Sequence, residues 1–166
     1  MQSIYNSGVK NAFICIGFMG NSSLRERIYY RLKEIGFNIP NVIDPSAIIA
    51  SDVKLGEGIF VGKNAIINTS AMIEEMVIIN TSAIVEHDAV VKKYSHISVG
   101  AVLCGNVNIG KCTLVGASST VIQGISIGDN TVIGASSVVV SSVGDNKKAY
   151  GVPCKEVDVN EDVNNS

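Results

Sequence analysis

Tryptophan is absent from this chain of 166 residues, and aromatic residues make up only 5% of it. Charged residues are also few, at 17%, and the net charge is -2. That balance leaves no basic surplus for nucleic acid or an anionic membrane. Prolines number 3 against 16 glycines, which is neither a collagen-like nor a disordered composition. No apolar run approaches the length of a membrane-spanning helix. The segment Ala12-Phe13-Ile14-Cys15-Ile16-Gly17 follows Lys10 like the start of a signal peptide. It is short, broken by Gly17 and Gly20, and has no small-x-small cleavage site, so a cytoplasmic protein is expected. Cys15, Cys104, Cys112 and Cys154 form no CxxC pair and no zinc spacing. They read as small buried hydrophobes in a reducing compartment.

Aliphatic residues dominate what is present, and with so few rings they point to β-structure in thin, regular layers. The length suits one domain. Stepping by six from Ile49 gives Leu55, Val61, Ile67, Ile73, Ile79, Val85, Val91, Ile97, Leu103, Ile109, Val115, Val121, Ile127, Ile133 and Val139. Every position is Ile, Leu or Val. Two residues earlier stands a small or β-branched residue, as at Ala65, Ala71, Val77, Ala83, Ala89, Ser95 and Ala101. One residue later stands Gly or Asn in half of the repeats, including Gly62, Asn80, Gly116 and Gly134. Those residues enter left-handed backbone conformations most cheaply, so a corner is expected there. A short strand and a corner in every hexapeptide describe a parallel β-helix, with three hexapeptides closing each triangular coil. A β-sandwich would show irregular turn spacing instead.

The expected organisation is a partial α/β segment over 1–40, the β-helix over 41–142, and a C-terminal loop and tail over 143–166. In the first segment, Ala12 to Ile16 reads as a buried strand ending at Gly17. Ser23 and Glu26 have the spacing of a capping box. Leu24, Ile28, Leu32 and Ile35 form one helical face, and Gly36 is placed to end the helix. Gly17-Phe18-Met19-Gly20 offers a phosphate or uridine cradle at the helix start, with a plain turn as the alternative. After Val140 the period fails, and the residues from Val157 onward read as a polar, frayed tail.

Chemistry narrows to two histidines. His87 follows inward-pointing Val85 by two, which puts it at a corner with its ring facing outward. A step of three hexapeptides stacks Thr69 below it and Gly105 above, leaving open space and an amide beside the imidazole for a reacting carbonyl. Asp88 or Glu86 holds one ring nitrogen and raises the basicity of the other. The alternative is a solvated corner histidine. His96 lies on another face of the prism, so one subunit cannot aim both rings into one pocket, whereas three prisms about a threefold axis can. That favours a homotrimer with sites between subunits, the alternative being an exposed, idle His96.

The runs Asn80-Thr81-Ser82-Ala83-Ile84-Val85-Glu86-His87-Asp88, Ser95-His96-Ile97-Ser98-Val99-Gly100 and Gly105-Asn106-Val107-Asn108-Ile109-Gly110 carry a specific resemblance. They resemble the left-handed β-helix sugar acetyltransferases, which include bacillosamine-pathway N-acetyltransferases and sialic-acid O-acetyltransferases. The likeness runs from about Ala12 to Lys155 and implies the left-handed form of the coil. It implies that His87 is the general base, that Asp88 orients it, and that Asn80 lies near the reacting amine. It also implies that His96, Gly105, Ala117 and Ala135 contact acetyl-CoA, with Gly151-Val152-Pro153 flanking it, and that Gly17 touches a nucleotide sugar. Two departures stand out. Cys154 occupies a position where the family usually has alanine, and the family's first βαβ half has no counterpart before Ala12.

The implied reaction is direct acetyl transfer from acetyl-CoA to a sugar amine, without a metal. His87 takes the proton, and N–H groups near Gly105 steady the oxyanion. A hydroxyl acceptor, as in O-acetylation of sialic or nonulosonic acids, is the second reading. Zinc-dependent carbonic anhydrases on such a scaffold need three histidines per metal, which two per chain supply poorly. A non-catalytic solenoid is the remaining alternative.

Overall fold

A computed structural model describes residues 1–17 and 23–157. From Val42 the chain winds into a parallel β-solenoid of the left-handed β-helix type. Two-residue strands recur at every hexapeptide, from Val42–Ile43 to Val138–Val139, making about six turns. They form three flat faces, here numbered in chain order, and each strand pairs in parallel with the third strand after it. On the first face Ile78, His96 and Leu114 are in register; on the second, Ile66, Ile84 and Val102. Met72, Val90 and Asn108 are in register on the third.

Successive residues of a strand point to opposite sides. The second residue of each pair points inward, and from Val61 to Val139 these residues are buried. Small Ala65, Ala71, Ala83, Ala89 and Ala101 complete the core beside them. In the later coils Ser95, Thr113, Ser119 and Thr131 take that place, fully buried yet satisfied. Their hydroxyls donate to the carbonyls of Gly110, Gly128, Gly134 and Gly144 at 2.6–2.8 Å.

The corners differ from the expectation. The left-handed residue stands three after the inward aliphatic, not one: Asn64, Ser70, Ser82, Asp88, Asn106 and Ser118 all have φ between 54° and 60°. That conformation turns the N–H toward the coil before it, as in Asp88 N–H to Thr69 O (3.1 Å) and Asn106 N–H to His87 O (2.8 Å). The glycine directly after the aliphatic serves close approach. A Cβ on Gly116 would lie 2.5 Å from the Ala135 nitrogen.

The N-terminal segment sits on the first face and its corner with the third. Helix α1 spans Gln2–Asn6, where no sequence signal marks a helix, and α2 spans Ser23–Ile35. Gly36, at φ 103°, ends α2, and the Phe37 N–H reaches back to Leu32 O. Of the expected helical face, Leu32 is buried and Ile28 and Ile35 pack against the same cluster, but Leu24 is exposed and Arg25 is buried in the first turn, its Nη2 donating to Met76 O at 2.7 Å. Tyr29 Oη donates to Glu57 at 2.5 Å, and Lys33 pairs with Glu57 at 2.9 Å. Ala12–Ile16 forms no strand. A single bridge, Asn11 to Asn38, adjoins it, and only Ile14 is buried, because no neighbouring strand runs alongside. At the other end Val132–Ile133 pairs with Lys148–Tyr150, which turns back antiparallel onto Lys155–Val157. The tail beyond Val157 lies outside the described residues. Of the cysteines only Cys154 is buried; Cys15 is exposed, and Cys104 and Cys112 are half-buried. No described helix is long and apolar enough to cross a membrane.

Candidate active site

His87 projects from the corner between the second and third faces, about half exposed. Its Nδ1 lies 2.8 Å from Asp88 Oδ2. The carboxylate accepts from Nδ1–H, and in the neutral imidazole that tautomer puts the lone pair on Nε2. The left-handed φ of 59° at Asp88 turns that residue's side chain back toward the ring. Glu86, the other candidate for holding the ring, instead accepts the His87 backbone N–H at 3.3 Å.

The ring lies directly against Gly105. A Cβ there would be 2.5 Å from Nε2 and 2.6 Å from Cε1. The space left by the missing side chain is therefore filled by the imidazole itself, not left open for a carbonyl as expected. With the ring in this position no side chain fits at Gly105. Among the described residues no acceptor takes the Gly105 N–H.

Asn80 and His96 meet elsewhere, where the first face passes into the second. Asn80 Oδ1 accepts the Thr81 N–H at 2.8 Å, which orients its amide. Nδ2 then donates to His96 Nε2 at 3.1 Å, so that nitrogen is unprotonated. Sequence reasoning assigns these residues separate roles and misses the contact. Its only signal is that His96 stands one full coil after Ile78, which itself lies two positions before Asn80. A cavity of about 280 Å³ opens beside the pair, walled by Gly17, Ile14, Phe60, Ile78 and Arg25. Of the proposed Gly17–Gly20 cradle, only Gly17 lies among the described residues. Ala117 and Ala135 stack further along this same corner, with the Ser136 N–H donating to Ala117 O. Gly151 closes the last coil, its carbonyl accepting the Val138 N–H at 3.0 Å.

One chain thus gathers the site residues into two groups: His87, Asp88 and Gly105 at one edge of the second face, and Asn80, His96, Gly17, Ala117 and Ala135 toward the other. Among the described residues no three His, Cys, Asp or Glu side chains converge as metal ligands.

The family profile described as the hexapeptide repeat of succinyl-transferase matches residues 106–141 and 125–146. No curated protein matches the chain by sequence. Among solved structures, the chain is similar to PerB from Caulobacter crescentus in complex with CoA and GDP-perosamine. Identity is 34% over 95% of this chain and 74% of that one, with a TM-score of 0.91. A variant of perosamine N-acetyltransferase from the same organism, with the same ligands, gives 33% over 95% and 73%, also at 0.91. The acetyltransferase domain of PglB from Neisseria gonorrhoeae, in complex with acetyl coenzyme A, gives 28% over 95% and 77%, at 0.87. With that identity, that coverage and the same coiled architecture, the chain belongs to the hexapeptide-repeat left-handed β-helix acetyltransferases.

Proposed function

We propose that the protein transfers the acetyl group of acetyl-CoA to the amine of a nucleotide-linked amino sugar, with His87 as general base. The observation that carries this reading is the His87–Asp88 pair: Nδ1 held at 2.8 Å by the carboxylate, with Nε2 against Gly105 on a half-exposed ring. As the amine nitrogen attacks the thioester carbonyl, Nε2 takes its proton and Asp88 steadies the imidazolium. The Gly105 N–H is the oxyanion donor. Collapse of the tetrahedral adduct expels the CoA thiolate, which takes up the proton. In this reading Ala117 and Ala135, small residues stacked along one corner, flank the pantetheine arm, and Gly17 faces the sugar nucleotide. CoA and GDP-perosamine in the Caulobacter relative support a CoA donor and a sugar-nucleotide acceptor.

The working enzyme in this reading is a cytoplasmic homotrimer. The outward residues of the second face are Ile48, Ile66, Ile84, Val102, Thr120 and Val138, and Ile48 is 64% exposed. Such an apolar stripe suits burial against copies of itself. The described residues of the N-terminal segment pack on the first face and its corner with the third. Packing second faces about a threefold axis sets the His87 edge of one prism against the Asn80 and Ala117 edge of the next.

Purified protein is assayed with acetyl-CoA and a set of UDP- and GDP-linked amino sugars, free amino sugars and free nonulosonic acids. CoA release is followed by thiol titration, and products by mass. N-acetylation of a nucleotide-linked sugar, with kcat at least about 10²-fold lower in His87→Ala, is expected. Wild-type turnover in that variant overturns the assignment of His87. Product formation on hydroxyls alone overturns the amine acceptor.

A further inference from the structure

The corner that carries His87 has a second polar group, which the reaction proposed above does not use. On the second face Ile66 is in register with Ile84 and Ile67 with Val85. Thr69 therefore stands one coil before His87, and the Asp88 N–H donates to Thr69 O at 3.1 Å. The His87 ring leans the other way, onto Gly105 in the following coil. On its remaining flank the next side chain in this column is that of Thr69, exposed and about 4.8 Å away along the coil axis.

Asp52 fixes what the Thr69 hydroxyl can do. Thr69 Oγ1 lies 2.8 Å from Asp52 Oδ2, and the same oxygen accepts the Ser70 N–H at 2.9 Å and the Ser70 hydroxyl at 3.2 Å. These bonds, the one from Thr69 foremost, hold the Asp52 carboxyl below the usual aspartate range. It is ionised at neutral pH and can only accept, so the Thr69 hydroxyl proton is committed to it. Oγ1 is left with lone pairs and no proton to give, and among the described residues no group donates to it.

An oxygen that only accepts tells the two possible nucleophiles apart. A primary amine carries two N–H groups. One proton passes to Nε2, and the other N–H stays in the product amide and can be held throughout. A hydroxyl carries a single proton, which Nε2 must take, and its oxygen then meets Oγ1 lone pair to lone pair.

We propose that Thr69, its proton drawn off by Asp52, selects an amine acceptor over a hydroxyl: Oγ1 accepts the N–H that the amine keeps while His87 Nε2 takes the proton it loses. This rests on the acetyltransferase reading above and adds to it the residues that decide the acceptor. The C–N bond forms, the C–S bond breaks and the proton on Nε2 leaves with the CoA thiolate; Thr69 exchanges no proton. Asp52 is a positioning residue, acting only through Thr69.

The test uses the full chain as wild type, Thr69→Val, Thr69→Ser and Asp52→Ala, with folding checked by circular dichroism and melting. The probes are the nucleotide-linked amino sugar that turns over fastest in the screen above and its analogue with a hydroxyl in place of the reacting amine. CoA release gives kcat/KM for the amine, and competition gives the inhibition constant of the analogue. Thr69→Val lowers kcat/KM for the amine at least about 5-fold, the scale of one hydrogen bond, without weakening the analogue; Thr69→Ser restores the wild-type ratio. Asp52→Ala frees the Thr69 proton to meet a hydroxyl, so the analogue binds more tightly. Wild-type kcat/KM in Thr69→Val, or an equal loss for both probes as a merely structural role would give, overturns the proposal. An analogue bound equally by wild type and Asp52→Ala overturns the part played by the carboxylate. Should Thr69→Val fail to fold, Asp52→Ala alone decides by the analogue's affinity. Amine turnover indifferent to both residues removes this proposal and leaves the acetyltransferase reading standing. A wild type that acetylates no amino sugar removes the amine reading and this proposal with it.

Discussion

Gly105→Ala is the smallest change that interrogates the reacting geometry without touching a titratable group. Gly105 has no positive φ, so alanine meets no backbone strain there. What it meets is the His87 ring, at 2.5 Å from Nε2, 2.6 Å from Cε1 and 3.2 Å from Cδ2. Unbonded heavy atoms settle near about 3.5 Å, so the ring must withdraw by about 1 Å. It has room, being half exposed, and the withdrawal pivots it about χ1 at a cost of about 1 kcal/mol. The fold should therefore survive with little change in Tm. Catalysis should not, because the same pivot carries Nδ1 away from Asp88 and displaces Nε2 from the acceptor. A misplacement of about 1 Å is worth about 10²-fold in kcat. The measurement is CoA release under saturating substrates, with melting curves on the same samples. His87→Ala with Gly105→Ala should be no slower than His87→Ala alone, since both remove one function. Wild-type kcat in Gly105→Ala would refute the claim that Nε2 works from its position against this glycine.

Two further outcomes concern stability. Thr113→Val keeps the shape of a fully buried side chain but removes a hydroxyl that donates to Gly128 O at 2.6 Å and accepts the Thr131 N–H at 3.1 Å. Leaving those groups unpaired should cost about 1–3 kcal/mol, read as a lower Tm; an unchanged Tm would mean that the hydroxyl ladder contributes nothing to stability. Glu57 tethers α2 to the coils. Burial pushes its pKa up, but hydrogen bonds from Tyr29 and Lys33 outweigh that and hold it below the ordinary glutamate value. Its contribution is thus present above about pH 4.3 and is lost as pH falls through the folded value. Screening at a side chain one-third exposed keeps it within about 1 kcal/mol. Amide exchange in α2 should rise on acidification before exchange in the coils does, and Glu57→Gln should flatten that dependence; the same pH response in Glu57→Gln would exclude the tether.

The solenoid was legible because one physical rule, an inward aliphatic in every strand, is written at a fixed interval from Val61 to Val139. The corners were half legible. Gly116 and Asn80 do mark a turn, but the left-handed residue is Ser82 or Asp88, whose short polar side chains carry no strong signal of their own. Met76 and Tyr94 occupy that same left-handed position although they are bulky. Both are buried, because this corner is the seat of α2. Large apolar residues where the other corners have Ser, Asp or Asn were the available signal for where the N-terminal segment docks. Ile28, Leu32 and Ile35 face inward as their spacing indicates, but the first turn of the helix was illegible for a related reason. Amphipathic spacing weighs Leu24 as core and Arg25 as surface, while a carbonyl at Met76 and a cavity beyond it invert that order.

The same distinction explains why the site was half visible. His87 and Gly105 are one full coil apart, and the repeat alone stacks them. Asp88 follows because a left-handed corner residue turns its side chain back toward its neighbour. Asn80 and His96 fall two positions short of a full coil, and their contact depends on one residue pointing out from a strand while the other leaves it at a corner. Periodicity is blind to such diagonal pairs. The His87 group and the Asn80 group flank the same apolar face, so in the proposed trimer each site would take one group from each of two chains. Breaking the second face with a charge at Ile84 would then separate the two halves without altering either, which is a stronger test of the assembly than any change within one half.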